Sequence, residues 1–332
     1  MRIDNSTFFA SYNHLYHFHK ATLLYHYYQH PDKYFAEVLN PIYTPLERES
    51  FFFTNDDVYF KKAIALDMRS TYFHCVETLF NLIGVFKAEA EIHERHGKWL
   101  NAFSALTEYA PKQLYNEIVE YGKDQASLAW LAESAGRDQW SLGRHIFFFA
   151  LSPPAEKIED YLRQCDASVM AIQLALHLFA KDFDDRKEYD SYKHGLRVLD
   201  AMKTFYLLDP QTRKMMVLDA GSSLTFPKKS KGAVEVKTQN VDFVRDYRMC
   251  VLGARLIQMM INQRRIFYNK AKMDFEQVPI VMLSEESVRW HSEAHVSNKV
   301  ELIKLEDFEK KFGFKVNLKE NSKEDTLPDN NQ

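Results

Sequence analysis

The feature that most narrows the choice of fold is a single helical pattern that opens at Thr54-Asn55-Asp56-Asp57 and keeps its apolar period to about Ala90. Asn and Asp side chains accept hydrogen bonds from the free N–H groups of a first helical turn, and acids suit its positive end. Leu66, Phe73, Val76, Phe80 and Ile83 fall on one stripe of such a helix. A rod of that length must be covered by other elements, and the chain is equipped to do it with helices. Glycine is 10 of 332 residues, under half of the usual ~7%, which disfavours sandwiches and propellers that need many tight turns. The 25 Phe, 18 Tyr and 4 Trp supply large rings for packing between helices. The expected class is mainly all-α, an irregular multi-helix bundle.

The remaining elements follow from caps and breakers. Asn5 or Ser6 opens a first helix that His30-Pro31-Asp32 ends, and a short helix follows over 33–39. Asn40-Pro41 and Thr44-Pro45 mark a loop. Small helices are expected over 98–106, 111–121 and 125–134. Pro153-Pro154 ends a helix over 141–151 and starts another that runs to about Lys181. Asp182 to Asp185 caps a helix over 186–207. Asp209-Pro210 breaks it, and two β-rich runs around Pro227 to Gly232 read as one β-hairpin inserted at about 215–239. A strong helix returns over 242–272, Ser284-Glu285-Glu286 opens another, and 305–312 suits a last short one. From Asn317 bulky apolar residues nearly vanish, so 317–332 is expected to be a disordered tail behind a single helical domain over 1–316.

No basic start leads into an apolar segment, and the longest greasy run, Ala167 to Ala180, holds Gln173 and His177 and is too short to span a bilayer. Cys75, Cys165 and Cys250 are odd in number and widely spaced, as suits buried free thiols. The expectation is a soluble cytoplasmic protein with no membrane partner.

Two helices concentrate positive charge. On the 186–207 helix, Arg186, Asp190, Lys193, His194 and Arg197 share one face, a surface that can meet phosphates and, through His194, move a proton near neutral pH. An i,i+4 pair between Arg186 and Asp190 explains part of it more simply. The 242–272 helix carries seven Lys or Arg against two Asp in a chain of net charge −3. Its Arg245, Arg248 and Arg255 project within about 80° of one another at helical spacing, enough to form an anion-binding patch with Lys193 as a further candidate. Pairing of those arginines with carboxylates on neighbouring helices is the alternative.

His19, His26 and His30 share a face, and His93/His96 and His291/His295 also lie close in sequence, but none comes with a third ligand or the His-Glu-x-x-His order. No metal and no cofactor is therefore assigned. The acids Asp182, Asp184, Asp185, Glu188 and Asp190 suit helix capping. Phosphate-loop, dinucleotide-fold and hydrolase-elbow motifs are missing from the sequence. The rings from Phe8 to Tyr28 suit aromatic packing or a subunit interface, hence a homodimer.

At Arg69-Ser-Thr-Tyr-Phe-His74, inside a helix, the chain resembles the Arg-x4-6-His motif of the HEPN superfamily, and Tyr189 to Arg197 looks like the Lys-His ends of some HEPN-like helices. The resemblance implies a dimerising helical bundle acting as a metal-independent ribonuclease in toxin–antitoxin or antiphage systems. It would make Arg69 the phosphate-stabilising group and His74 the acid/base, with Arg186, His194 and Arg197 as the other candidate set. Helical geometry alone instead places Arg69 on the apolar stripe, where a buried ion pair is the ordinary outcome. Two functions follow: an interaction or scaffold protein presenting a cationic helix surface to RNA or an acidic protein partner, or a ribonuclease of that kind.

Overall fold

The structure is a computed structural model. It describes residues 3–42, 44, 47, 57–108, 111–134, 140–150, 157–183, 241–269, 282–295 and 310, and the backbone of strands within 199–240 and at 300–304. The helices are α1 (Asn5–Ser11), α2 (Tyr16–Gln29), α3 (Asp57–His96), α4 (Ala102–Glu108), α5 (Pro111–Lys123), α6 (Leu142–Phe147), α7 (Ile158–Phe183), α8 (Phe243–Tyr268) and α9 (Glu285–Ser292). A π-helical turn spans Tyr34–Leu39, and a 3-10 helix spans Gln125–Ala132. The chain forms two compact units, one from Met1–Leu199 and Leu224–Val296, the other from Asp200–Ser223 and Ser297–Gln332. The described body is mainly α-helical, as expected.

Within the larger unit the long helix is the organising element. It extends beyond Ala90 to His96, where Gly97 adopts φ 63° and closes the helix in the left-handed region that glycine enters without strain. Its apolar stripe packs into the core: Phe73, Val76, Phe80 and Ile83 are buried, together with Tyr72, Leu79 and Phe86, and Leu66 is half-buried against them. The helix that packs most extensively on α3 is α8, with α2 laid across both. Gly253 on α8 makes that approach possible, because a Cβ there would lie 3.0 Å from Cys75 Sγ on α3. Gly122 plays the same part between α5 and α7, where a Cβ would meet the Ala180 backbone at 3.0 Å. All three cysteines are buried and free.

The first helix is divided. Asp4 rather than Asn5 or Ser6 caps α1, accepting from the Thr7 N–H at 2.8 Å. Asn5 instead donates to the Leu100 carbonyl and the Tyr268 hydroxyl. At the other end Arg265 donates to the carbonyls of Phe9, Ala10 and Tyr12, so the acceptors that a continuing helix would use are already taken. Sequence periodicity has no access to a donor 250 residues away.

The largest departure follows α7. The helix expected over 186–207 is corrected at its C-terminal end, where Thr204–Asp209 is a strand. The single hairpin inserted at 215–239 is not supported either. Lys214–Asp219 pairs antiparallel with Thr204–Asp209 on one side and Val300–Lys304 on the other, while Ser223–Ser230 and Ala233–Asn240 are neighbours in a different sheet. The run read as one strand is thus two, shared between sheets. The helix start at Pro153-Pro154, the short helix at 305–312 and the tail at 317–332 lie outside the described residues, apart from Lys310.

Candidate functional site

The arginine-rich helix does not face outward, which corrects the expectation of a cationic rod. Sixteen of its residues are buried, from Phe243 through Ile266, and Arg264 is fully enclosed at 0% exposure. Most of its guanidiniums have internal acceptors. Arg264 donates from Nε and Nη2 to Glu89 Oε2, at 3.0 and 2.8 Å, and from Nη1 to the His145 carbonyl. Phe86 and Phe149 sandwich it, with ring centroids 4.3 and 3.9 Å away. Arg265 holds α1, and Arg245 is paired with Asp182 at 2.8 Å and donates to the Ser292 carbonyl. The acids that neutralise these cations sit on α3 and α7, far away in sequence.

Arg245 belongs to a buried polar cluster at the N-terminal half of α8. Arg69 of α3 donates to Asp246 Oδ1 at 2.6 Å, and the Tyr72 hydroxyl donates to Asp182 at 2.6 Å. Burial pushes the Asp246 carboxyl up to about 6, against the opposing pull of Arg69. Burial would lower Arg245, but the Asp182 carboxylate more than offsets it and the group ends raised. Burial, then the Asp182 charge, lifts the Tyr72 phenol well above its ordinary range. Asp246 Oδ2 has no hydrogen-bond partner among the described residues.

Arg69 is therefore 7% exposed and engaged with Asp246, whereas His74 is exposed and lies beside Tyr16 and His17 of α2, its ring centroid 4.9 Å from that of His17. The two residues of the Arg-x4-6-His match do not share a solvent-open cleft. His17 itself is pulled down to about 4 by burial and by the neighbouring His74 and Lys20. Arg186, Lys193, His194 and Arg197 lie outside the described residues.

Two arginines of the expected patch are left without an internal acid, half-buried Arg248 and exposed Arg255, on the helix against which α9 packs. Ser284 caps α9 as its sequence requires, accepting from the Ser287 N–H at 3.1 Å. Arg248 lies 3.9 Å from the centroid of the Trp290 indole and donates to the Trp290 carbonyl and to His295 Nε2. Arg255 is exposed. Neither forms an ion pair with a described carboxylate. Trp290 is 51% exposed despite the guanidinium on one side of its ring. Burial, partly offset by a bond to the Ser287 carbonyl, lowers His291, and the charges of Arg255 and Arg248 lower it further. The sequence reading singled out Arg248 and Arg255 but missed Trp290. Its only signal was a bulky ring on the polar side of a short, otherwise charged helix.

His26 and His30 are exposed with ring centroids 5.3 Å apart, but among the described residues no three His, Cys, Asp or Glu groups gather closely enough to hold a metal ion. No described helix is long and apolar enough to cross a membrane. No protein-family model matches the chain, and no match was found among curated proteins or among solved structures.

Proposed function

We propose that this is a noncatalytic binding protein that holds an anionic partner at the α8–α9 edge through Arg248 and Arg255. The observation that carries the reading is the Arg248 guanidinium stacked on the half-exposed Trp290 ring with no described carboxylate bonded to it. A cation held on an aromatic face keeps its outer N–H groups for a ligand and loses little freedom when one binds. The recognition surface is narrower than the whole helix, because Arg245, Arg264 and Arg265 serve the interior. It is the interaction-protein function with a smaller and better-defined contact.

The test uses the full chain against three polyanions: inorganic polyphosphate, single-stranded RNA and polyglutamate. At least one should bind, more weakly as salt rises, and Arg248→Glu with Arg255→Glu should cut that binding at least tenfold. Binding of none, or binding indifferent to both salt and the double charge reversal, refutes the reading.

A further inference from the structure

Resting on that anion-binding reading, we infer that the partner at this edge is a single-stranded nucleic acid, with one base stacked on Trp290 and phosphates on Arg248 and Arg255. Three observations lead there. First, the site pairs its cations with an aromatic ring. A polyphosphate or a carboxylate has no use for an indole face, whereas every nucleobase does, and a base stacked on an exposed ring beside a guanidinium is the recurring arrangement of sequence-tolerant strand binding. Trp290 keeps about half of its surface open although Arg248 lies over its ring and the His291 ring meets it at nearly a right angle, centroids 4.9 Å apart, and that open half is the surface a base would use.

Second, Arg248 and Arg255 are seven residues apart on one helix, which separates them by about 10.5 Å along the axis and by only ~20° around it. Arg248 cannot swing across that gap to share a single phosphate, because Trp290 and His295 hold it. One held and one exposed positive point at this separation match a ligand that repeats its negative charge along a backbone. Third, the surroundings do not form a strong positive field. Glu286 and Glu293 are exposed on α9 and at its C-terminal cap, Arg289 is already paired with Glu285, and the chain as a whole is at −3. Attraction by charge alone is thus weak, and stacking must supply much of the affinity. A paired duplex hides its base faces and cannot do so.

These features set the expected numbers. Two neutralised phosphates on a single strand give a log K against log salt slope of about −1.4, so affinity should fall roughly sevenfold between 50 and 200 mM salt. Removing a stacking ring typically costs about 5- to 150-fold in affinity per base. The experiment measures anisotropy of labelled 12-nucleotide single-stranded RNA and DNA, duplex RNA, labelled polyphosphate and labelled polyglutamate with the wild-type chain and with Trp290→Ala, Trp290→Phe and the Arg248→Glu/Arg255→Glu pair. Trp290→Ala should weaken single-strand binding at least fivefold and polyphosphate binding by much less, through the loosened Arg248 alone, and Trp290→Phe should restore part of the single-strand loss. Unchanged thermal melting of Trp290→Ala would show that the fold is kept; if it melts early, Trp290→Phe against polyphosphate carries the comparison.

Equal affinity for single strands and duplex, or equal losses on RNA and polyphosphate in Trp290→Ala, overturns the inference. So does single-strand affinity that Trp290→Ala leaves alone. In those cases polyphosphate or polyglutamate binding abolished by the charge-reversed pair leaves the anion reading standing, and polyglutamate bound in preference to RNA identifies an acidic protein as the partner. If nothing binds, both fall together. RNA bound more tightly than DNA, or the reverse, distinguishes the source of the strand.

Discussion

Replacing Glu89 with Gln changes one charge and almost no volume, and it should be among the most damaging substitutions in the protein. Glu89 is 1% exposed and accepts two bonds from the Arg264 guanidinium, which is itself at 0% exposure between Phe86 and Phe149. The Tyr268 hydroxyl donates to the other carboxylate oxygen at 3.4 Å and in turn accepts from Asn5 of α1. Gln at this position leaves the guanidinium charged and buried with no counterion and turns an amide N–H₂ towards a donor. Stranding a buried charge in this way costs ~3–5 kcal/mol. With an unfolding entropy of ~2.1 cal/mol/K per residue over a unit of about 270 residues, the midpoint should fall by roughly 5–9 °C. Burial alone would raise the Glu89 pKa, but Arg264 and His145 more than offset it and hold it below the ordinary carboxylate value. Its folded pKa is therefore lower than its unfolded one, so its stabilisation is complete above the unfolded pKa and is lost as pH falls through the folded one. The wild-type advantage over Glu89→Gln, read by urea unfolding, should be greatest at neutral pH and close in acid. The control removes both charges: Glu89→Leu with Arg264→Met should recover most of the loss, because neither ion then needs the other. A Glu89→Gln protein within 1 kcal/mol of wild type, or a double variant as unstable as the single one, would refute the argument.

Asp246 should titrate with the opposite sign. Its folded pKa is lifted from 3.8 to about 6, so the native state holds the proton more tightly and stability declines as pH rises through roughly 4 to 6, by about 3 kcal/mol in all. Urea unfolding at pH 5, 6 and 7 should show wild type gaining on Asp246→Asn as pH falls, and parallel curves would remove the assignment. Gly143→Ala should destabilise by about 1–3 kcal/mol, because its Cβ would stand 2.6 Å from Val169 Cγ1 and 3.0 Å from the Leu131 carbonyl oxygen; recovery in a Val169→Ala background, measured by thermal melting, checks the cause.

How much could be read in advance depends on distance along the chain. The α3 stripe, the Ser284 cap and the return of a helix near Asp242 rest on neighbours within a few residues, and the structure contains each of them, while the Thr54 to Asp56 cap lies outside the described residues. The division of the first helix was invisible because its cause, Arg265, arrives from the other end of the chain. The helix expected over 186–207 gives way to a strand from Thr204 for a similar reason: pairing of Thr204–Asp209 with Lys214–Asp219, itself paired with Val300–Lys304, outweighs local preference.

The site divides along the same line. Residue types and spacing determine that this chain is mainly helical, that its rings must pack between helices, and that Arg248 and Arg255 share a face. They do not determine which arginines meet water. That choice was made when α3 and α7 brought Glu89 and Asp182 to α8, because a guanidinium can be enclosed only where an acid or a row of carbonyls compensates its lost hydration. The arginines left outside are the ones to which packing delivered neither a carboxylate nor a row of carbonyls, and beside one of them it delivered Trp290 instead.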